Sequence, residues 1–351
     1  MRDQENKSFL VTGGAGFIGS NFVEIALKQG ARVVVLDALT YAGHLENLSW
    51  AEKNDRFQLI IGNICDSKAV SELLTQFQID AVVNFAAESH VDRSIEKPSA
   101  FIETNIQGTF SLLNASLDYW RSLDGNKNRK KEEFRYLQVS TDEVYGSLGE
   151  AGRFSETTPY APNSPYSASK AAGDHLVRAW HHTYGLPTLT TNCSNNYGPR
   201  QYPEKLIPHM ILCALKSLPL PVYGDGGNVR DWIHVKDHCN GILLALSRGV
   251  VGQTYCFGGN AERNNLQVVR SICEKLDQLK PRKDGKSHLR SIQFVQDRLG
   301  HDRRYAIDDR LAESTLGFKR QFQFEDGLAQ TIHWYLDHQE WIDSVFKKGQ
   351  S

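Results

Sequence analysis

The chain has 351 residues, 40% of them apolar, and a formal net charge of −1, which is length enough for a large core and excludes a global field that would recruit nucleic acid or an anionic membrane. Its six cysteines show no C-x-x-C pair and no disulfide-scaffold density, so they read as reduced thiols of a cytoplasmic protein. Residues 1–7 are polar, and no apolar run reaches the length of a membrane span, so neither secretion nor membrane insertion is indicated.

Residues 9–12 read as a buried first strand, followed by Gly13-Gly14-Ala15-Gly16-Phe17-Ile18-Gly19 and a helical pattern running to about residue 30. Gly14, Gly16 and Gly19 fit G-x-G-x-x-G, in which glycines allow a tight turn, close approach to a pyrophosphate and close helix–strand packing. A second strand, 32–36, ends in Asp37, at the distance expected of a carboxylate that binds a ribose and repels a 2′-phosphate. With no arginine following, NAD is favoured over NADP. Further strands are predicted at 57–61, 81–85, 136–140, 188–193 and 252–257, with helices near 67–77, 98–120 and 165–184. This alternation predicts an α/β fold with a doubly wound parallel sheet of Rossmann type. Residues 1–200 form mainly the dinucleotide-binding part and 201–351 a smaller, mainly substrate-binding C-terminal portion, with 252–257 returning to the main sheet.

Ligands in such sheets sit at the strand C-terminal ends, where Gly13–Gly19, Asp37, Ala86-Ala87, Thr141-Asp142-Glu143 and Asn195-Asn196 converge. Tyr166 and Lys170 are four apart on a predicted helix and share a face, so the ammonium can favour the phenolate. Lowering a tyrosine pKa from about 10 to about 7 takes roughly 4 kcal/mol. Asp142 and Glu143 add two proton-transfer groups beyond what an alcohol dehydrogenase needs, which points to elimination of water as well as oxidation. The pair His181-His182 has no third donor at metal-ligand spacing, and no metal is expected.

These motifs, with Leu39-Thr40-Tyr41-Ala42-Gly43, Ala86-Ala87-Glu88-Ser89-His90-Val91-Asp92-Arg93-Ser94, Asn195-Asn196-Tyr197-Gly198-Pro199, Pro203-Glu204-Lys205-Leu206-Ile207-Pro208 and Gly300-His301-Asp302-Arg303-Arg304-Tyr305, resemble the nucleotide-diphosphate-glucose 4,6-dehydratases of the extended short-chain dehydrogenase/reductases. The resemblance runs almost end to end, and Thr-Asp-Glu is specific to that branch. It implies NAD as cofactor, dTDP-glucose or a related nucleotide sugar as substrate, and a homodimer. Thr141, Asp142, Glu143, Tyr166 and Lys170 would be catalytic. Gly13, Gly14, Gly16, Phe17, Ile18, Gly19, Asp37, Thr40, Asn63, Ile64, Ala86, Ala87, Thr104, Tyr166, Lys170 and Asn196 would hold the cofactor. Ser89, Thr141, Asn195, Lys205, Leu206, Pro221, Tyr223, Arg230, Asn265, Asp297 and His301 would bind substrate.

The sequence departs from the family pattern at Ala38, Asn63, Ala261 and Leu299, the last two in the region expected to choose the base. A sugar-nucleotide 4-epimerase or decarboxylase uses the same tyrosine and lysine without the acid pair, and a non-enzymatic dinucleotide sensor needs neither. The dimer would form through the helices at 98–120 and 165–184, where Phe101, Leu112, Leu176 and Trp180 are either interface or intrachain core.

Overall fold

A computed structural model describes residues 4–125, 131–297 and 300–348. Lys127, Arg129 and Lys130, in the charged stretch that precedes the fifth strand, and Leu299 lie outside the described residues. In chain order the elements are β1 (Ser8–Thr12), α1 (Phe17–Lys28), β2 (Arg32–Asp37), β3 (Phe57–Ile61), α2 (Ser67–Gln76), β4 (Ala81–Asn84), α3 (Val91–Glu96), α4 (Pro98–Phe101), α5 (Thr109–Ser122), β5 (Arg135–Thr141) and α6 (Pro165–Tyr184). The second half contains β6 (Thr188–Cys193), β7 (Asn195–Tyr197), α7 (Leu206–Leu215), β8 (Leu220–Tyr223), β9 (Val229–His234), α8 (Val235–Arg248), β10 (Thr254–Phe257), β11 (Glu262–Asn264), α9 (Asn265–Leu279), β12 (Ile292–Val295), α10 (Phe324–Asp337) and α11 (Gln339–Lys348).

Seven strands form one parallel sheet in the order β10-β6-β5-β4-β1-β2-β3. The chain reverses direction across the sheet between β1 and β4, the switch point at which the C-terminal ends of neighbouring strands open a crevice. The residues of β1 and β2 are largely apolar on both faces because both are covered. Phe9, Val11, Val33 and Val35 pack with Phe22 and Val23 of α1 and Ile242 of α8, whereas Leu10, Val34 and Val82 pack with Leu73 of α2 and Leu112 of α5 on the other side. A third core, including Ile211, Ile272, Leu328 and Ile342, joins α7, α9, α10 and α11.

Two small sheets complete the fold: β11-β9-β7, in which β9 pairs antiparallel with β11 and parallel with β7, and β12-β8. The expectation of one continuous helix over 98–120 is corrected by a π-helical turn at Ile102–Gly108 between α4 and α5. Asn105 explains it. Its side chain accepts from the Glu88 N–H at 2.9 Å and donates to the Glu88 carbonyl at 3.0 Å and to the Ser169 hydroxyl at 2.8 Å. Gly108 meanwhile packs so close to Ile64 that a Cβ there would stand 2.5 Å from its Cδ1. Phe101 and Leu112 are intrachain core, 1% and 0% exposed, and Leu176 and Trp180 are partly buried against the same core. The apolar side chains turned outward on this face are Ile102, Phe110 and Tyr184.

Candidate active site

A cleft of about 320 Å³ runs across the C-terminal ends of β1, β2, β4, β5 and β6. At one end the glycine turn leaves β1 at Gly13, which adopts a φ of +67° and where a Cβ would stand 2.6 Å from the Ala86 nitrogen. A Cβ on Gly19 would collide with the Gly13 carbonyl, so the turn and α1 can pack this closely only without side chains. The N-terminus of α1 has no side-chain cap and no acid in its first turn, leaving its N–H groups suited to an anion. Asp37 is fixed by two backbone donors, Ala15 N–H and Leu39 N–H, both at 2.8 Å. Gly13, Gly16, Phe17, Ile18, Gly19, Asp37, Thr40, Asn63, Ile64, Ala86, Ala87, Thr104 and Asn196 all line the cleft. Gly14 does not: it packs on Val35, where a Cβ would meet the methyls at 2.7 Å. The Asn63 side-chain oxygen accepts from Cys65 N–H at 2.9 Å.

At the other end lie Ser89, Thr141, Asp142, Glu143, Tyr166, Lys170, Asn195 and Lys205. The last residue of β5, Thr141, accepts from the Glu143 N–H and donates to Asp142 Oδ1, both at 3.3 Å, which shapes the short turn carrying the two acids. Asp142 is 1% exposed and its Oδ2 has no partner among the described residues. Burial, and then the Glu143 charge, push its carboxyl well above the usual carboxylate range, against the pull of Arg230. Burial thus disfavours its ionised form. Asn195 Oδ1 is likewise buried without a partner. Asn196 is held from behind by His238, whose Nδ1 is 3.0 Å from its Oδ1 and whose pKa burial lowers to about 3.

Tyr166 and Lys170 project from α6, whose first turn is fixed by Pro165 and a Ser164/Ser167 capping box. The expected lowering of the tyrosine is not produced by the protein alone. Burial, Glu143, Cys193 and Asp142 push the phenol up, opposed by a hydrogen bond with Thr141. Lys170 donates to the Val139 carbonyl at 2.7 Å, and burial pulls its own pKa down against the charge of Asp174. Asp174 in turn accepts from Ser140 at 2.6 Å and Tyr160 at 3.1 Å.

Leu206, Pro221, Tyr223, Arg230, Asn265, Asp297 and His301 are not among the residues lining this cleft. Arg230 is nevertheless near enough to act on Asp142, and it donates to the Val229 and Asp302 carbonyls while lying 4.3 Å from the Tyr305 ring centroid. Tyr223, Asn265, Asp297 and His301 belong to a neighbouring group. His301 Nδ1 is 2.6 Å from Asp297 Oδ1, Asp297 packs on Gly224, and Asn265 N–H donates to the Asn228 carbonyl at 3.0 Å. Ala261 donates its N–H to Asp231 at 2.7 Å and is buried in the C-terminal core. Sequence reasoning missed Cys193, Ser194, Gln201, Tyr202 and Glu204 as lining residues; only the motif Pro203-Glu204-Lys205 signalled the last.

A doubly wound sheet with a Tyr-x-x-x-Lys pair beside its fifth strand, and an acid pair at that strand's end, defines an extended short-chain dehydrogenase/reductase. The profile of the family described as GDP-mannose 4,6 dehydratase matches residues 10–331, and the chain belongs to that family. It is 60% identical over 338 residues to a dTDP-glucose 4,6-dehydratase of Xanthomonas campestris, covering 96% of this chain and 95% of the relative. It is 50% identical over 346 residues to dTDP-glucose 4,6-dehydratase 1 of Escherichia coli, covering 96% and 94%. Among solved structures it is similar to a dTDP-glucose 4,6-dehydratase of Streptomyces venezuelae crystallised with NAD, with a TM-score of 0.86, 44% identity and coverage of 96% and 99%.

Proposed function

We propose that this protein is an NAD-dependent dTDP-glucose 4,6-dehydratase that produces dTDP-4-keto-6-deoxyglucose. The observation that carries the reading is the buried Asp142, its carboxyl raised by desolvation, next to Glu143 at the same cleft end as Tyr166. An alcohol dehydrogenase or 4-epimerase has no use for that pair. The names of the 50–60% identical relatives support the same choice.

The glycine turn, the uncapped N-terminus of α1 and the fixed Asp37 carboxylate fit a dinucleotide with a free 2′-hydroxyl, with Phe17 and Ile18 at the pyrophosphate and Asn63 and Ile64 at the adenine. NAD held there would supply a hydride acceptor for C4 of the glucose ring and, once reduced, a donor for C6, and its positive charge would favour the Tyr166 phenolate. Tyr166 takes the C4 hydroxyl proton, Thr141 hydrogen-bonds the C4 oxygen, and Lys170 supports the phenolate electrostatically. The resulting ketone acidifies C5–H. Glu143 removes that proton while Asp142 protonates the departing C6 hydroxyl, which leaves as water; as hydride reaches C6, Glu143 returns the proton to C5, and the proton held by Tyr166 restores Asp142 through solvent. Ser89 and Asn195 approach the sugar and phosphates, and Lys205, Arg230 and His301 the diphosphate. Tyr223 and Asn265 face the nucleoside, so most of the substrate-binding portion comes from residues 201–351.

Six free cysteines and a sugar-nucleotide substrate fit a cytoplasmic enzyme. The exposed apolar side chains Ile102, Phe110 and Tyr184 suit a homodimer interface built from α5, α6 and the π-helical turn before α5. Incubation with dTDP-, UDP-, GDP- and CDP-glucose, followed by mass analysis for loss of water, tests the activity. Recovery of a 4-epimer without water loss would replace dehydration with epimerisation.

A further inference from the structure

Three segments that line the cleft also grip one another. The first leaves β2 through Leu39, a non-glycine residue with φ +50°, and carries Tyr41 and His44 around the lining residues Thr40, Ala42 and Gly43. The second follows β4 through Glu88 and Ser89 into α3, which holds Arg93. The third begins at Arg200, with φ +70°, and runs through Tyr202, Glu204 and Lys205 to α7.

The Arg93 guanidinium carbon lies 3.9 Å from the Tyr41 ring centroid, and Arg93 Nη2 is 3.8 Å from Glu204 Oε2. His90 Nε2 approaches the same Glu204 oxygen at 3.6 Å. Tyr202 meets Tyr41 edge-on at 5.8 Å and stacks with His44 at 5.4 Å. Lys205 donates to the Ser89 carbonyl at 3.0 Å. The third segment is in turn anchored to the glycine-loop helix, since Arg200 donates to Asn21 Oδ1 at 3.0 Å and Asn21 donates to the Pro199 carbonyl at 3.1 Å.

These contacts close a circuit across the cleft mouth. Nearly all of its links are side-chain contacts between segments, each individually weak, so the segments can part without breaking the sheet. Two of them are rooted in left-handed non-glycine residues, a conformation that persists only where surrounding contacts hold it. A redox-neutral cycle returns the dinucleotide to its starting state and must keep it bound while one sugar nucleotide replaces another. We infer that Arg93, Tyr41, Glu204 and Tyr202 form a clasp that retains the dinucleotide and sets its rate of release. This inference rests on the NAD-binding reading above.

The test uses the full chain loaded with NAD, freed of excess by rapid gel filtration, with protein-bound NAD extracted and quantified over time. Arg93→Ala and Glu204→Gln should each release NAD about tenfold faster, the consequence of losing a cation–π contact and its ion pair. Arg93→Lys, which keeps the charge but not the planar guanidinium, should fall between wild type and Arg93→Ala. The double variant should be little faster than either single one, because both open the same clasp. Thermal unfolding without NAD should be unchanged in Glu204→Gln, separating retention from folding. Unchanged release in both single variants, or effects that multiply in the double variant, would overturn the clasp. Wild-type protein that takes up no NAD would instead overturn the functional reading on which it rests.

Discussion

Asp142→Asn should separate the two halves of the reaction. Thr141 donates to Asp142 Oδ1, and an amide oxygen can accept that bond, while the amide nitrogen takes the place of the unpartnered Oδ2. The substitution thus preserves shape and removes only the proton to be donated. Loss of a positioned general acid costs about 10²–10⁴-fold in rate, or roughly 3–5 kcal/mol of barrier. Oxidation at C4 should persist, so the variant mixed with dTDP-glucose should show absorbance of reduced nicotinamide while formation of the 4-keto-6-deoxy product falls by at least about 10²-fold. Stability provides an independent check. Because the folded-state pKa of Asp142 is raised, the folded protein holds that proton more tightly than the unfolded chain, and the associated stability is present at low pH and lost as pH rises through the folded pKa. Asn carries no such dependence, so the variant should gain in Tm relative to wild type as pH increases. Product formation close to wild type, or equal loss of C4 oxidation and product, would refute the assignment of Asp142 as the acid.

Tyr166→Phe should block the earlier step, giving neither reduced cofactor nor product in the same absorbance assay. Gly13→Ala should abolish NAD retention and lower stability by about 1–3 kcal/mol, because alanine is strained at φ +67° and its Cβ would meet Ala86 N at 2.6 Å. Gly149→Ala, where nothing lies within 4 Å of the added carbon, should change neither NAD content nor Tm. On substrate choice, dTDP-glucose should be turned over with weaker turnover of UDP-glucose, since discrimination by one methyl amounts to about 1–3 kcal/mol; comparison of kcat/KM checks this. Sedimentation should find a dimer at micromolar concentration, and Phe110→Asp on its outward face should shift it toward monomer without loss of fold by circular dichroism.

The legibility of this fold in its sequence depends on how local each cause is. Residues 32–36 were readable as a strand because a buried parallel strand presents a bounded apolar run covered on both faces, and the glycine turn because its spacing is dictated by atoms within seven residues of one another. The π-helical turn was not readable, because Ile102–Gly108 keeps an ordinary helical pattern and its extra width follows from Asn105 reaching Glu88 and Ser169 and from Gly108 meeting Ile64. Strands β7 and β11, three residues each, are too short for any period to appear. Tyr223 and Asp297, proposed to bind substrate, come together only through the pairing of β12 with β8, a contact spanning about seventy residues. Asp142 and Glu143 mark the same limit within the site itself. As neighbours in the chain they are chemically near-equivalent, and spacing alone cannot divide acid from base between them. The turn after β5 sets them apart: it buries Asp142 completely and leaves Glu143 partly exposed at the cleft, and desolvation raises the Asp142 carboxyl above the usual carboxylate range. What the residues can do is written in the chain, but which of two neighbouring carboxyls is desolvated is decided by where the fold leaves water.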